Sequence, residues 1–162
     1  MRTKIIGLFI ISLLFSLICV ISCDKRKEAK KESVGLFPIV QNGKYGYINK
    51  KGKVVINPQF DSAYYFSEGL ADVKVGDRHG YINKKGEIVI NPQFDYASDF
   101  EEELAVVKLG EKWGYIDKTG KYIINPQFDE EDPFHEELAI VRIGEKIGYI
   151  DKSGKYIWNP TE

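Results

Sequence analysis

Lys112-Trp113-Gly114-Tyr115-Ile116-Asp117-Lys118-Thr119-Gly120-Lys121-Tyr122-Ile123-Ile124-Asn125-Pro126-Gln127-Phe128 reads as a strand, a tight turn and a second strand. Close copies recur, with Gly46, Gly80, Gly114 and Gly148 in equivalent places 34 residues apart. A fixed period in this range marks a repeat architecture, in which each unit buries its apolar face against its neighbours. The copies extend upstream: Leu70-Ala71-Asp72-Val73-Lys74-Val75 matches Leu104-Ala105-Val106-Val107-Lys108-Leu109 and Leu138-Ala139-Ile140-Val141-Arg142-Ile143. A worn version begins at Leu36. By residue type each of these runs is a strand, so a unit carries three.

The connections group the strands. Asn42-Gly43, Gly76-Asp77, Gly110-Glu111 and Gly144-Glu145 join the first strand of a unit to the second. Asn-Gly is the strongest short hairpin signal, because type I′ turns need positive φ at both central residues. The next turn opens with Asn or Asp and closes with Gly, as in Asp117-Lys118-Thr119-Gly120, the pattern of a type I turn with a left-handed bulge residue. The third link is longer, nine residues from Asp95 to Glu103. These spacings predict an all-β domain of four stacked three-stranded antiparallel meanders, Leu36–Phe60, Leu70–Phe94, Leu104–Phe128 and Leu138–Pro160. Two arrangements fit: an open, solenoid-like array, slightly favoured, or a small closed four-bladed ring. Asn57-Pro58, Asn91-Pro92, Asn125-Pro126 and Asn159-Pro160 fall at strand ends, where a missing N–H is tolerated. Both faces of the Leu104 strand are apolar, so each sheet is expected to be covered on both sides by its neighbours.

Composition agrees with a folded β domain. Ten Tyr and nine Phe stand against one Met, a tilt toward pleated, half-buried surfaces. A net charge of −1 argues against a nucleic-acid partner, which needs a concentrated basic excess.

The N-terminus is built differently. Met1-Arg2-Thr3-Lys4 is positive, Ile5 to Ile21 is almost wholly apolar, and Val20-Ile21-Ser22-Cys23 leads into the charged run Asp24 to Glu32. The first two regions are what a secretory signal peptide requires. The third resembles a bacterial lipobox, which implies cleavage between Ser22 and Cys23 and lipid chains on Cys23. Residues 1–22 would then be a signal peptide, 23–35 a lipidated cysteine and charged tether, and 36–160 the repeat domain. An uncleaved signal anchor is the alternative, and it too places the domain at a membrane. Asp24 resembles an inner-membrane retention signal of some bacteria; the sequence leaves inner and outer membranes open. Cys19 and Cys23 are the only cysteines, so the mature domain is expected to hold no disulfide and no cysteine metal site. Losing Arg2 and Lys4 leaves 21 basic against 24 acidic side chains, a charge of −3.

The repeats resemble the bacterial WG (KWG) repeat family. Lys112-Trp113-Gly114-Tyr115-Ile116-Asp117-Lys118-Thr119-Gly120 follows its first half, and Phe66-Ser67-Glu68-Gly69-Leu70-Ala71-Asp72-Val73 its second. The chain departs at the eponymous Trp, which is replaced by Tyr45, His79 and Ile147, and by Asn one residue before each retained Pro. The resemblance implies a β-repeat scaffold and no defined enzymatic activity.

Candidate chemistry is sparse. His79 shares its position with Tyr, Trp and Ile, which favours packing. His135 sits in a long link and reads as a surface residue. No catalytic triad, phosphate loop or histidine pair at metal spacing is present, and no cofactor or metal is expected. The second turns are basic (Lys50, Lys84, Lys118, Lys152), while the later links are acidic: Glu101, Glu102 and Glu103, then Asp129, Glu130, Glu131, Asp132, Glu136 and Glu137. In a regular stack these form a basic and an acidic row on different edges. Solvated loops that keep the domain soluble are the plainer reading; docking of a basic protein partner or weak cation binding by those nine acids is the functional one. The expected role is therefore a lipid-anchored binding scaffold of the cell envelope, not an enzyme. The alternative is an envelope enzyme using paired carboxylates on a glycan-like substrate.

Overall fold

A computed structural model describes residues 35–161; the signal segment, Cys23 and the charged tether lie outside the described residues. Strands β1 (Leu36–Gln41), β2 (Lys44–Asn49) and β3 (Val54–Phe60) form the first sheet. The second contains β4 (Ser62–Ala63), β5 (Leu70–Val75), β6 (Arg78–Asn83) and β7 (Ile88–Phe94). The third contains β8 (Tyr96–Ala97), β9 (Leu104–Leu109), β10 (Lys112–Asp117) and β11 (Tyr122–Phe128). The fourth contains β12 (Glu130–Glu131), β13 (Leu138–Ile143), β14 (Lys146–Asp151) and β15 (Tyr156–Thr161). All pairings are antiparallel, and the described residues contain no helix.

Each sheet after the first is one strand richer than the sequence predicts. The long link is itself a hairpin: Tyr96 and Ala97 pair with Lys108 and Val107, and Glu101 bridges back to Leu104. The array is open. Among the described residues, three apolar clusters join the first sheet to the second, the second to the third and the third to the fourth, and none joins the fourth to the first.

The Trp-Gly dipeptide owes its glycine to a bulge. Trp113 pairs with Phe128 but Tyr115 with Ile124, so Asn125-Pro126-Gln127 is looped out against Gly114. A Cβ on Gly114 would lie 2.6 Å from the Ile124 carbonyl oxygen and 2.7 Å from Pro126 N. Gly46 and Gly80 meet the same obstacle. Bulged strands twist more strongly, and here the proline that cannot donate to the ladder sits where the ladder is already interrupted.

The tyrosine that follows this glycine fastens the units together. Tyr47, Tyr81 and Tyr115 are fully buried, and each hydroxyl donates, at 2.7 Å, to a carbonyl in the following link: Tyr64, Ser98 and Asp132. Each ring also meets the link's phenylalanine, 4.8 Å away for Tyr81–Phe100 and Tyr115–Phe134. A buried tyrosine whose hydroxyl is satisfied combines a large apolar area with one oriented bond. Ile56, Ile90 and Ile124 then seat against Gly86, Gly120 and Gly154 of the next unit.

Charges complete the junctions, and they correct the expectation of separate edges. Lys118 lies 3.0 Å from Glu68 and 2.8 Å from Glu103, and Lys152 3.1 Å from Glu102 and 2.9 Å from Glu137. The link hairpin turns toward the type I turn of its own sheet, so basic and acidic residues interleave on one edge. Glu68 and Glu102 also accept the backbone N–H of Glu103 and Glu137 in the next unit.

These turns carry strain. Glu102 and Glu103 have φ of 50° and 75°, where the second unit has Glu68 and Gly69 at 48° and 95°. A side chain in the left-handed region costs about 1 kcal/mol, offset for glycine by its larger unfolded-state entropy. Glu103→Gly is expected to raise stability by about 0.5 kcal/mol despite loss of an exposed ion pair, while Gly69→Ala lowers it by about 1 kcal/mol. Urea midpoints of the two variants moving the same way would contradict this.

Candidate binding site

The position of Trp113 recurs as the second residue of β2, β6, β10 and β14, and a link residue falls midway between successive copies. Tyr45, His79, Trp113 and Ile147 therefore alternate with Ser62, Tyr96 and Glu130 at intervals of 17 residues. In the middle of the array this row is aromatic. The Tyr96 ring lies 5.9 Å from His79 and 5.2 Å from Trp113, and Lys108 Nζ sits 5.1 Å over the indole. Tyr96 is 45% exposed and Trp113 is half-buried, so this part of the row is accessible, with the buried His79 ring beneath it.

His79 is anchored from beneath. Its Nδ1 is 2.9 Å and 3.0 Å from the two oxygens of Asp72, which is 2% exposed, while His79 is 8% exposed. Asp72 takes the place of Val106 and Ile140 in the later units. Burial pushes its carboxyl above the usual range, and His79 draws it part of the way back. The packing role expected of His79 is thus right in location but polar in kind.

Beyond Trp113 the row opens into a cavity of about 330 Å³ between the third and fourth sheets. Trp113, Ile140, Val141 and Ile147 supply its apolar lining, and Glu130, Glu131, Asp132 and Arg142 its polar groups. β12 brings the acids there: Glu130 lies opposite Arg142 in the ladder and accepts from its Nε at 2.8 Å. Glu131 lies opposite Val141, in the place where Ala63 and Ala97 are buried in the earlier sheets. Its Oε2 is buried and meets no hydrogen-bond partner. Burial first, then the charge of Asp132, pushes this carboxyl from 4.5 up to about 8, with Lys108 opposing.

That shift gives a signed prediction. Below pH 4.5 Glu131 is protonated whether or not the chain is folded; between 4.5 and 8 only the unfolded chain ionises it, so stability falls across that window. Glu131→Gln is expected to leave stability unchanged at pH 4 and to raise it by about 2 kcal/mol at pH 8, a figure discounted for partial solvent access. Thermal melts showing the same difference at both pH values would contradict it.

The nine acids singled out in the sequence do not act together. Glu102, Glu103 and Glu137 are held by lysines at the unit junctions. Asp129 is held well below the usual range by the Gly144 N–H and by Lys112. Glu101 pairs through its backbone with Leu104, and Glu136 occupies a turn at φ 49°. Only Glu130, Glu131 and Asp132 share the cavity. Among the described residues no three His, Cys, Asp or Glu side chains converge to hold a metal ion. The sequence signal missed was the departure of Glu131 from alanine at its two internal counterparts, and of Tyr96 from serine.

Comparison with known proteins gives one family. A family model described as "WG containing repeat" matches residues 45–78, 80–113 and 113–146. No curated protein matches the sequence. Among solved structures, a plant lectin with two metal binding sites from Cicer arietinum is 13% identical over 75% of this chain and 84% of that one, with a TM-score of 0.32. The hemopexin fold protein CP4 from cow pea and a 2S albumin seed protein from Dolichos are each 14% identical over 81% of this chain and 88% of theirs, at TM-scores of 0.31 and 0.30. Overlaps this loose carry no argument about shape or ligand.

Proposed function

The chain belongs to the WG containing repeat family, and we propose that it is a non-catalytic binding scaffold held at a bacterial membrane by lipid on Cys23. The ligand face is the row His79–Tyr96–Trp113 with the cavity beside it. One observation carries this reading: the chain places a carboxyl with an unpartnered buried oxygen where its own earlier units place alanine. A buried polar group without a partner costs about 1–3 kcal/mol, and such local sacrifices concentrate at sites of function. The exposed Tyr96 and the partly buried Trp113 next to it are the residue types that anchor protein contacts.

Support for the anchor is confined to the sequence: a basic start, an apolar run and Cys23 in lipobox surroundings. Several acyl chains give durable attachment, since each buried CH₂ contributes about 0.8 kcal/mol. Two measurements test the proposal. Mass spectrometry of the membrane-extracted protein should find a lipidated N-terminal Cys23; an unmodified Met1 rules the anchor out. A photo-crosslinking residue at Tyr96 should capture a partner in intact cells, whereas one at Val55 should not. Equal capture, or none at Tyr96, removes the binding face.

The enzyme reading draws on Glu131, since a carboxyl kept protonated near neutral pH is what a general acid needs. Against it stands the geometry of β12. Glu130, the neighbour of Glu131 on this strand, is already tied to Arg142 at 2.8 Å, so it is not a free second carboxylate.

A further inference from the structure

We infer that the cavity between the third and fourth sheets receives a primary alkylammonium group, the chemistry of a lysine side chain on a peptide or protein partner. The inference rests on the binding face proposed above and specifies what enters it. The shape suits a single chain, because about 330 Å³ is at the lower end of ligand cavities. Its apolar lining of Ile140, Val141 and Ile147 matches a methylene stem. Its polar groups match the cation at the tip. The two basic residues near it are already engaged, Arg142 with Glu130 and Lys108 with the indole of Trp113. That leaves the Glu131 oxygen without a partner, with Asp132 beside it, and an aromatic wall that favours a cation over a neutral group.

Binding carries a proton signature. The charged groups around Glu131 are Glu130 on β12, Asp132 just after it, Arg142 on β13 and Lys108 on β9. Asp132 disfavours its ionisation and Lys108 favours it. An incoming ammonium ion would complete the set and ionise Glu131, releasing a proton to solvent. At pH 7 Glu131 is otherwise protonated, so affinity should rise from pH 6 to 8.

The test uses the full chain in detergent carrying Trp158→Phe, so that Trp113 is the only indole. The probe is Nα-acetyl-lysine amide, with its Nε-acetylated form as the neutral counterpart. The lysine compound should change Trp113 fluorescence, bind about tenfold more tightly than the neutral one, and release about one proton at pH 7, read by calorimetry in two buffers of different protonation enthalpy. Glu131→Gln should abolish both the preference and the proton release. Equal binding of the two compounds, no binding of either, or undiminished proton release in the variant would overturn the inference. Crosslinks at Tyr96 that persist in that event leave the scaffold reading standing; their loss while lysine still binds refutes the scaffold face alone.

Discussion

Alanine at Gly114 is expected to destabilise the chain by about 3 kcal/mol, at the upper end of what overpacking by one methyl group causes. The reason is the identity of the neighbours. A Cβ at this place meets the Ile124 oxygen at 2.6 Å, Pro126 N at 2.7 Å and Asn125 C at 2.8 Å. All three are backbone atoms, fixed by a bulge whose ends are pinned by the Trp113–Phe128 and Tyr115–Ile124 pairings. No rotamer change relieves the contact, so the bulge must lift and Tyr115 must tilt with it. Tyr115 carries the hydroxyl bond to Asp132 and the ring contact with Phe134, so the junction between the third and fourth sheets loosens too. Gly110→Ala provides the contrast. Its φ is 64° and a Cβ there meets nothing within 4 Å, leaving conformational strain alone, about 1 kcal/mol. Urea unfolding of the two variants separates close approach from backbone strain. Equal losses would show that the bulge does not press on Gly114.

This division explains what the sequence disclosed and what it hid. Turn chemistry was legible because the residues that permit a turn are few. Asn42 and Gly43 take φ of 51° and 75°, and Gly52, Gly86, Gly120 and Gly154 all take positive φ, as hairpins with a left-handed bulge require. Burial of both faces was legible from Leu104-Ala105-Val106-Val107, every member of which is buried. The link strand was hidden for a physical reason. In the second unit Ser67-Glu68-Gly69-Leu70 has a glycine that betrays the turn, but Glu103 and Glu137 fill that place later, held by interactions from other units. Local propensity cannot report a conformation that distant groups sustain. The same holds for the candidate site. Glu130, Glu131 and Asp132 read as one more acidic stretch, and only the pairing of Glu131 with Val141 turns one of them inward.

Phenylalanine at His79 is expected to cost about 3 kcal/mol at pH 7, the desolvation penalty of a buried carboxyl left without its hydrogen-bond donor. Asp72 is 2% exposed and its carboxylate accepts from His79 Nδ1 through both oxygens; an aromatic ring of similar size fills the space but donates nothing. Removing the other member is milder. Asp72→Val leaves the His79 ring with one unsatisfied donor, a loss of about 1–2 kcal/mol. Changing both, to Asp72→Val with His79→Trp, copies the Val106 and Trp113 pair of the next unit and should restore stability to within about 1 kcal/mol. The pH dependence follows from the sign of the shift. Burial raises the Asp72 carboxyl above 3.8, and without His79 nothing opposes that rise. Below pH 3.8 the folded and unfolded chains both carry the proton and the cost largely vanishes; as pH climbs, only the unfolded chain ionises and the cost grows. Melting of His79→Phe relative to the parent chain should therefore worsen between pH 3.5 and 7. A deficit that stays constant, or an Asp72→Val loss as large as that of His79→Phe, would mean that His79 acts by packing alone. The pair also bears on the binding face, because the His79 ring is what Tyr96 rests against at 5.9 Å. The double variant puts a larger ring there without the buried charge, so any change in crosslinking at Tyr96 would report the shape of the face rather than the stability of the fold.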